Sequence, residues 1–202
     1  MTNKPMIALG FAAALMLGTA AQAQTGMQRN ENSAKPAPTG QMQKNANTQN
    51  KMSKAQERFL KEAMEGDLSE MKVGELAQQK GQSEDVKQFG QMLQQDHSKN
   101  LQQAQQLAQQ GGMTPPAQPS SAQKKVYDRL SKLSGNQFDR QFAKDMVSDH
   151  KKDLTKFEKE AKGKGPVAEF AQQTVPTLQK HLQTAQGIEN KGAAVGSGSK
   201  MK

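Results

Sequence analysis

Two stretches of the chain repeat each other without a gap: residues 89–101 read FGQMLQQDHSKNL, and residues 142–154 read FAKDMVSDHKKDL. Both begin with Phe, carry an Asp-His pair after six further residues and end on Leu. In each copy the Phe, the His and the final Leu fall at multiples of four residues, which is the spacing of one face of an α-helix. The repeat therefore predicts two equivalent long helices, each with one histidine on its buried face.

The same helical spacing covers most of the chain from residue 53 onward. Ser53 begins a capping-box pattern and Ser83 can cap a second helix. Gly- and Pro-containing segments at 111–116 and 163–166 interrupt the helical pattern, and a shorter helix is expected near 121–133. We predict an all-α, ferritin-like four-helix bundle of two antiparallel hairpins, joined by a crossover that contains the short helix.

The N-terminal segment has the pattern of a secretory signal. Residues 1–23 combine one Lys, an apolar run from Met6 to about Leu17 and small residues that end in Ala21-Gln22-Ala23. The apolar run is shorter than the about 20 residues of a membrane-spanning helix. We predict cleavage near Ala23 and a periplasmic or secreted protein without a transmembrane segment in its mature chain.

The remaining domain boundaries follow from composition. Residues 24–52 are rich in Gln, Asn, Thr, Pro and Lys and contain almost no large apolar side chains, so we predict a disordered polar linker. Residues 53–190 are predicted to form the bundle domain. Residues 191–202 are rich in Gly, Ser and Lys, and we predict a flexible basic tail.

The positive charge of the chain lies mainly in its flanks. The formal net charge of the 202 residues is +9, whereas residues 53–190 contain 20 basic and 18 acidic residues. A domain that binds nucleic acid carries its excess positive charge on the fold itself, so we predict no nucleic-acid partner. The basic flanks instead favour envelope polyanions or a partner protein.

The sequence contains no motif that is typical of an enzyme. Cys is absent, which excludes disulfides, thiolate metal sites and cysteine nucleophiles. A phosphate-binding glycine loop, a nucleophile elbow and an HExxH motif are also absent. We therefore predict a protein that is not an enzyme, without catalytic residues.

Only three histidines occur in the chain, and all three fall on apolar helical stripes. If the hairpins turn near residues 82 and 164, Glu70, His97, His150 and His181 lie within roughly 8 Å of one level of the bundle. Imidazole and carboxylate groups on facing helices can bind a transition metal such as Zn, Cu, Ni or Fe. These four residues are the predicted metal ligands, and Asp96 and Asp149 could orient a histidine of a neighbouring helix.

Two alternatives bear on this prediction. The four residues could instead form a buried hydrogen-bonded network that fixes the register of the helices. In that case all three histidines would be neutral, and stability would fall between about pH 7 and 5. A di-iron carboxylate centre is not expected, because the residues three positions before the histidines are Gln94, Val147 and Leu178 rather than Glu.

The chain resembles the bacterial family called domain of unknown function 4142. The resemblance covers about residues 55–187 and rests on both Asp-His stretches and on VAEFAQQTVPTLQKHL at 167–182. It implies an exported, ferritin-like helical bundle, in a family whose members are often labelled outer-membrane proteins, and it supplies no reaction. Glu70 and the three histidines match recurring positions of the family. Lys72 stands where members often have a second acidic residue, which argues against a multi-carboxylate centre.

The leading prediction is thus an exported, non-catalytic helical bundle of the envelope that acts in stress tolerance, envelope maintenance or protein interaction. The alternative prediction is a protein that binds or handles a transition metal through the four mid-bundle residues.

Overall fold

The computed structural model describes the backbone of residues 52–198 and the side chains of residues 52–192. The predicted signal peptide, the predicted linker up to residue 51 and residues 199–202 lie outside these ranges. Export and localisation therefore stay predictions from the sequence.

The described part of the chain is entirely helical, which confirms the predicted fold class. No strand occurs between residues 52 and 198. The helices are α1 (Lys54–Lys80), α2 (Glu84–Gln110), α3 (Ser121–Leu130), α4 (Gly135–Glu160) and α5 (Pro166–Gly198).

Serine side chains cap the N-termini of α1 and α2, as the sequence predicts. The Ser53 hydroxyl accepts a hydrogen bond from the backbone N–H of Gln56, whose side chain accepts one in return from the backbone N–H of Ser53. Ser83 caps α2 through the backbone N–H of Val86. Each cap satisfies donors that the first helical turn leaves without partners, so the chain enters the helix at a defined residue.

The four long helices pack as two hairpins. α1 packs along α2 and α4 along α5, and the hairpins meet where α2 contacts α5 and α1 contacts α4. The Asp139 carboxylate of α4 accepts hydrogen bonds from the backbone N–H groups of Gln82 and Ser83, both at 2.8 Å. The starts of α2 and α4 therefore lie at the same end of the bundle, and α3 in the crossover packs on α1 and α4.

Helix α5 is longer than the sequence predicted. It continues to Gly198, through residues that we assigned to the flexible tail. At the start of this extension, Lys191 Nζ lies 2.7 Å from Asp85 Oδ2 at the beginning of α2. This exposed ion pair joins α5 to the start of α2.

Two apolar clusters fill the bundle, one around Phe89 and Phe142 and the other around Phe157 and Phe170. Along α2, Leu93 belongs to the first cluster and Leu101 to the second. His97 lies midway between them, and the other predicted ligands occupy the corresponding positions of their helices. The core is therefore divided by a single polar layer.

Within residues 52–198, no helix combines the length and the apolar character that a membrane span needs.

Helices α1 and α2 approach each other most closely where two glycines face each other. A Cβ atom added to Gly90 would lie 2.5 Å from the backbone oxygen of Gly74, and one added to Gly74 would lie 2.5 Å from the backbone oxygen of Gly90. Because the obstructing atoms are backbone, a side chain there forces the helices apart. This crossing lies next to Glu70 and sets the spacing of α1 and α2 beside the polar layer.

We expect Gly90→Ala to lower the free energy of unfolding by roughly 1–3 kcal/mol, because overpacking outweighs the higher helix propensity of Ala. Gly187→Ala is the matched control, since a Cβ there meets nothing within 4 Å and the substitution should stabilise α5 slightly. Urea unfolding of both variants measures the difference. Equal stability of the two variants would contradict the close crossing.

Candidate metal centre

The polar layer contains one predicted ligand from each long helix. Glu70 comes from α1, His97 from α2, His150 from α4 and His181 from α5. All four are buried, and His150 and His181 have no exposed surface. The structure thus brings together the complete set that the sequence singled out.

The donor atoms of these residues lie close together. Glu70 Oε2 is 3.1 Å from His97 Nε2 and 3.5 Å from His150 Nε2. His150 Nε2 is 3.2 Å from His181 Nδ1. The three imidazoles bring one nitrogen each within 4.8 Å of one another. The set whose ligand atoms all lie within this distance consists of the three histidines, and Glu70 adjoins it at His97 and His150.

Each histidine donates a hydrogen bond from its other ring nitrogen to an oxygen outside this group. The three bonds are His97 Nδ1 to Asp67 Oδ1 at 2.8 Å, His150 Nδ1 to the backbone oxygen of Met146 at 2.9 Å, and His181 Nε2 to Asp96 Oδ2 at 3.0 Å. In a neutral imidazole the second nitrogen then carries a lone pair. These second nitrogens face other groups of the layer: His97 Nε2 lies 3.1 Å from Glu70 Oε2, and His150 Nε2 lies within hydrogen-bond distance of His181 Nδ1. Outer acceptors of this kind also orient metal-binding histidines.

With all three imidazoles neutral, this arrangement leaves acceptors facing acceptors. Glu70 Oε2 and His97 Nε2 are buried, and among the described residues neither has a hydrogen-bond partner. They lie 3.1 Å apart, so a proton on His97 Nε2 places a charged donor beside the carboxylate. A buried polar atom without a partner costs about 1–3 kcal/mol, so a hydrogen-bonded network of these residues requires that proton.

Asp67 is the residue that the sequence analysis missed. Its carboxylate accepts hydrogen bonds from His97 and, at both oxygens, from the Asn100 amide at 3.1 and 3.0 Å. The Thr174 hydroxyl lies 2.8 Å from the Asn100 amide oxygen and fixes the orientation of that side chain. The available signal was spacing, since Asp67 precedes Glu70 by three residues and shares its helix face.

The prediction for the two aspartates before the histidines holds for one of them. Asp96 contacts His181 of the neighbouring helix, as proposed from its position. Asp149 contacts no histidine in the described structure and pairs with Lys152 at 3.1 Å. The sequence repeat is therefore not matched by equivalent contacts around its two Asp-His pairs.

The three histidines do not share one electrostatic environment. Burial lowers the pKa of His97, but the nearby carboxylates of Glu70 and Asp67 outweigh burial and raise it well above 6.5. Burial together with the imidazoles of His97 and His150 lowers the pKa of His181 to about 4. The expectation of three neutral histidines is therefore wrong for His97, because two carboxylates face that ring.

Glu70 stays ionised in this environment. Burial raises the pKa of its carboxyl group, but the imidazoles of His150, His97 and His181 outweigh burial and lower it below the usual value. A buried carboxylate that stays charged needs a positive partner close by. In the absence of a metal, a proton on His97 supplies that charge.

Comparison with protein families matches residues 41–188 to the family described as "Domain of unknown function (DUF4142)". Among solved structures, the chain is similar to a DUF305 fragment from Deinococcus radiodurans. The TM-score is 0.63, and the two share 16% sequence identity over 70% of this chain and 99% of that chain. At this identity the likeness concerns the fold alone, and it confirms the ferritin-like helical architecture. No curated protein matches the chain.

In the metal-free protein we expect the His181 ring to stay neutral down to about pH 4, whereas His97 stays protonated above pH 6.5. Imidazole ¹⁵N chemical shifts measure both titrations. Ordinary titration of both rings near pH 6.5 would contradict the burial and charge of the centre.

The lowered pKa of His181 also has a consequence for stability. The unfolded chain takes up this proton below about pH 6.5, but the folded chain does so only near pH 4. The stability that neutral His181 contributes is present above pH 6.5 and is lost as the pH falls toward 4. The difference in unfolding free energy between the native chain and His181→Asn should therefore shrink over this range. The raised pKa of His97 has the opposite effect on stability. The stability that protonated His97 contributes is present below pH 6.5 and is lost as the pH rises through its folded pKa.

Proposed function

Because the chain belongs to the DUF4142 family, whose description names no activity, we propose its function from the polar layer itself: it binds one divalent transition-metal ion through Glu70, His97, His150 and His181. The observation that carries this proposal is the convergence of three imidazoles, with Glu70 against two of them, in which Glu70 Oε2 and His97 Nε2 are buried without a hydrogen-bond partner among the described residues. A bound cation would satisfy both atoms at once.

The distances between the donors support a tetrahedral ion. Metal–nitrogen and metal–oxygen bonds of 2.0–2.1 Å place neighbouring donors of a tetrahedron about 3.3–3.4 Å apart. The three closest contacts in the centre, at 3.1, 3.2 and 3.5 Å, bracket this value. The wider separations between the donor atoms, up to 4.8 Å among the three imidazoles, would shorten as an ion draws the rings inward.

The charge of the surroundings also favours a cation. The carboxylates of Asp67, Glu70 and Asp96 all contact imidazoles of the centre. A divalent ion offsets two of these negative charges and replaces the proton that His97 holds in its absence. Asp67 and Asp96 would then strengthen the bound histidines as hydrogen-bond acceptors.

Zn²⁺ is the ion that fits this donor set best. Three imidazoles and one carboxylate in a closed, tetrahedral arrangement are typical of zinc, whereas Cu²⁺ and Ni²⁺ prefer flatter geometries. A di-iron centre lacks support, because Asp67 is engaged by His97 and Asn100 and does not point to a second ion. The predicted alternatives Cu, Ni and Fe remain competitors for the same four donors.

Four protein donors leave no open position on a tetrahedral ion, which supports a role in holding or handling metal rather than in catalysis. If the predicted signal peptide is used, this binding takes place outside the cytoplasm. The broader prediction of an envelope protein in stress tolerance or envelope maintenance is compatible with such a role and stays a prediction.

We expect the untagged protein to bind one Zn²⁺ per chain in calorimetry. With free Zn²⁺ at 100 times the dissociation constant, binding adds about 2.7 kcal/mol to the unfolding free energy. For a chain of this size the corresponding rise in melting temperature is roughly 5–10 °C.

The matched variants are Glu70→Gln, which removes a donor charge within the centre, and Glu75→Gln, which makes the same change one turn further along α1. Glu70→Gln should weaken Zn²⁺ binding by more than about tenfold. Glu75→Gln should bind like the native chain. A melting temperature that does not respond to Zn²⁺, Cu²⁺, Ni²⁺ or Fe²⁺ would refute the proposal.

A further inference from the structure

A cleft of about 430 Å³ lies between α1, α3 and α4, and Glu70 forms part of its wall. Five carboxylates line this cleft: Glu62, Glu65, Glu70, Asp149 and Asp153. The basic side chains in the lining are Lys152 and Lys156, so the cleft has an excess of negative charge. Its remaining lining is neutral.

The carboxylates extend from the surface to the metal centre. The exposed fraction of the side chain is 52% for Glu62, 29% for Asp153 and 7% for Glu70. Glu70 therefore connects the solvent-facing cleft with the three histidines. Its Oε2 atom faces His97 and His150, so this residue has the histidine centre on one side and the cleft on the other.

Lys156 lies across the outer part of the cleft. Its ammonium group is 3.0 Å from Glu62 Oε2 on α1 and 4.0 Å from Asp153 Oδ1 on α4. The lysine is half-exposed, so solvent screening makes these ion pairs weak and easily exchanged. An arriving cation can take the place of the ammonium group between the same two carboxylates.

The negative field of Glu70 reaches these side chains. Burial and the charge of Glu70 raise the pKa of Asp153 to about 7. The cleft and the centre are therefore coupled through the charge of Glu70.

We propose that the cleft lined by Glu62, Asp153 and Glu70 is the route by which a divalent metal ion reaches and leaves the histidine centre, with Lys156 as its displaceable occupant. This inference rests on the proposed metal binding and adds the path that the ion takes. The carboxylates pass a partly hydrated ion from the surface to Glu70, whose oxygen then joins the three imidazoles.

A second cavity offers the competing route. It has a volume of about 200 Å³, lies between α2 and α5 and reaches His97 and His181 from the opposite side. Its charged lining consists of Asp96 and Lys99, one of each sign, and Asp96 is already bound to His181. This cavity therefore lacks the field that would concentrate cations.

Stopped-flow absorbance with Co²⁺ tests the proposal on the full chain, because tetrahedral cobalt absorbs visible light when it binds. Measurements at pH 8 and low salt keep Asp153 ionised. The double variant Glu62→Gln/Asp153→Asn should bind Co²⁺ about tenfold more slowly, and Lys156→Gln should bind it several-fold faster. Both association rates should depend on ionic strength, with a smaller dependence in the double variant.

Two control variants and the dissociation constant for Co²⁺ show whether Glu62 and Asp153 line the route of the ion or bind the ion at its final site. Glu158→Gln on α4 and Lys99→Gln in the second cavity should leave the association rate within about twofold of the native chain, since neither changes the charge of the cleft. The dissociation constant of the double variant should rise by no more than the association rate falls, because lost attraction slows entry without speeding release. A larger loss of affinity would identify Glu62 or Asp153 as a ligand.

The outcomes distinguish this inference from the function on which it rests. If native protein gives no cobalt spectrum, the metal-binding function fails. If native protein binds Co²⁺ but the cleft variants leave its rate unchanged, or if Lys99→Gln accelerates binding while Lys156→Gln does not, the route is overturned and metal binding stands.

Discussion

The buried carboxylate of Glu70 is the constraint on which the centre of this bundle depends. It lies between two apolar clusters and is charged, so the fold has to place positive charge or proton donors around it. Helices α2, α4 and α5 each contribute one histidine. The rings of His97 and His181 also bond to the carboxylates of Asp67 and Asp96, respectively. Even so, one Glu70 oxygen and one His97 nitrogen lack partners. The proposed metal ion would give both atoms a partner.

The bundle provides the rigidity that such a centre requires. Gly74 and Gly90 let α1 and α2 approach until their backbones nearly touch, one turn away from Glu70. Asp139 ties the start of α4 to the start of α2, which aligns the two Asp-His stretches in height. Packing above and below the polar layer then holds the imidazoles in place. The contacts that hold the helices together therefore also position the side chains of the polar layer.

Much of this arrangement was predictable from local sequence. The spacing of four residues from Phe89 to Leu101 indicates which side of α2 is buried, and counting from the hairpin turns places the four ligands at one level. The spacing of Asp67 from Glu70 places it on the same face of α1, but its contact with His97 was not predictable, because that contact depends on how α1 rotates against α2. The opposite pKa shifts of His97 and His181 depend on which charged groups face each ring. That follows from the packing of the helices and cannot be read from the sequence of one helix.

The most direct test of a four-donor metal centre is anomalous diffraction from a crystal of the zinc-loaded protein at the zinc absorption edge. We expect one strong anomalous peak, about 2.0–2.1 Å from Glu70 Oε2, His97 Nε2, His150 Nε2 and His181 Nδ1. A peak bound only at surface carboxylates, with no density between the three imidazoles, would contradict it.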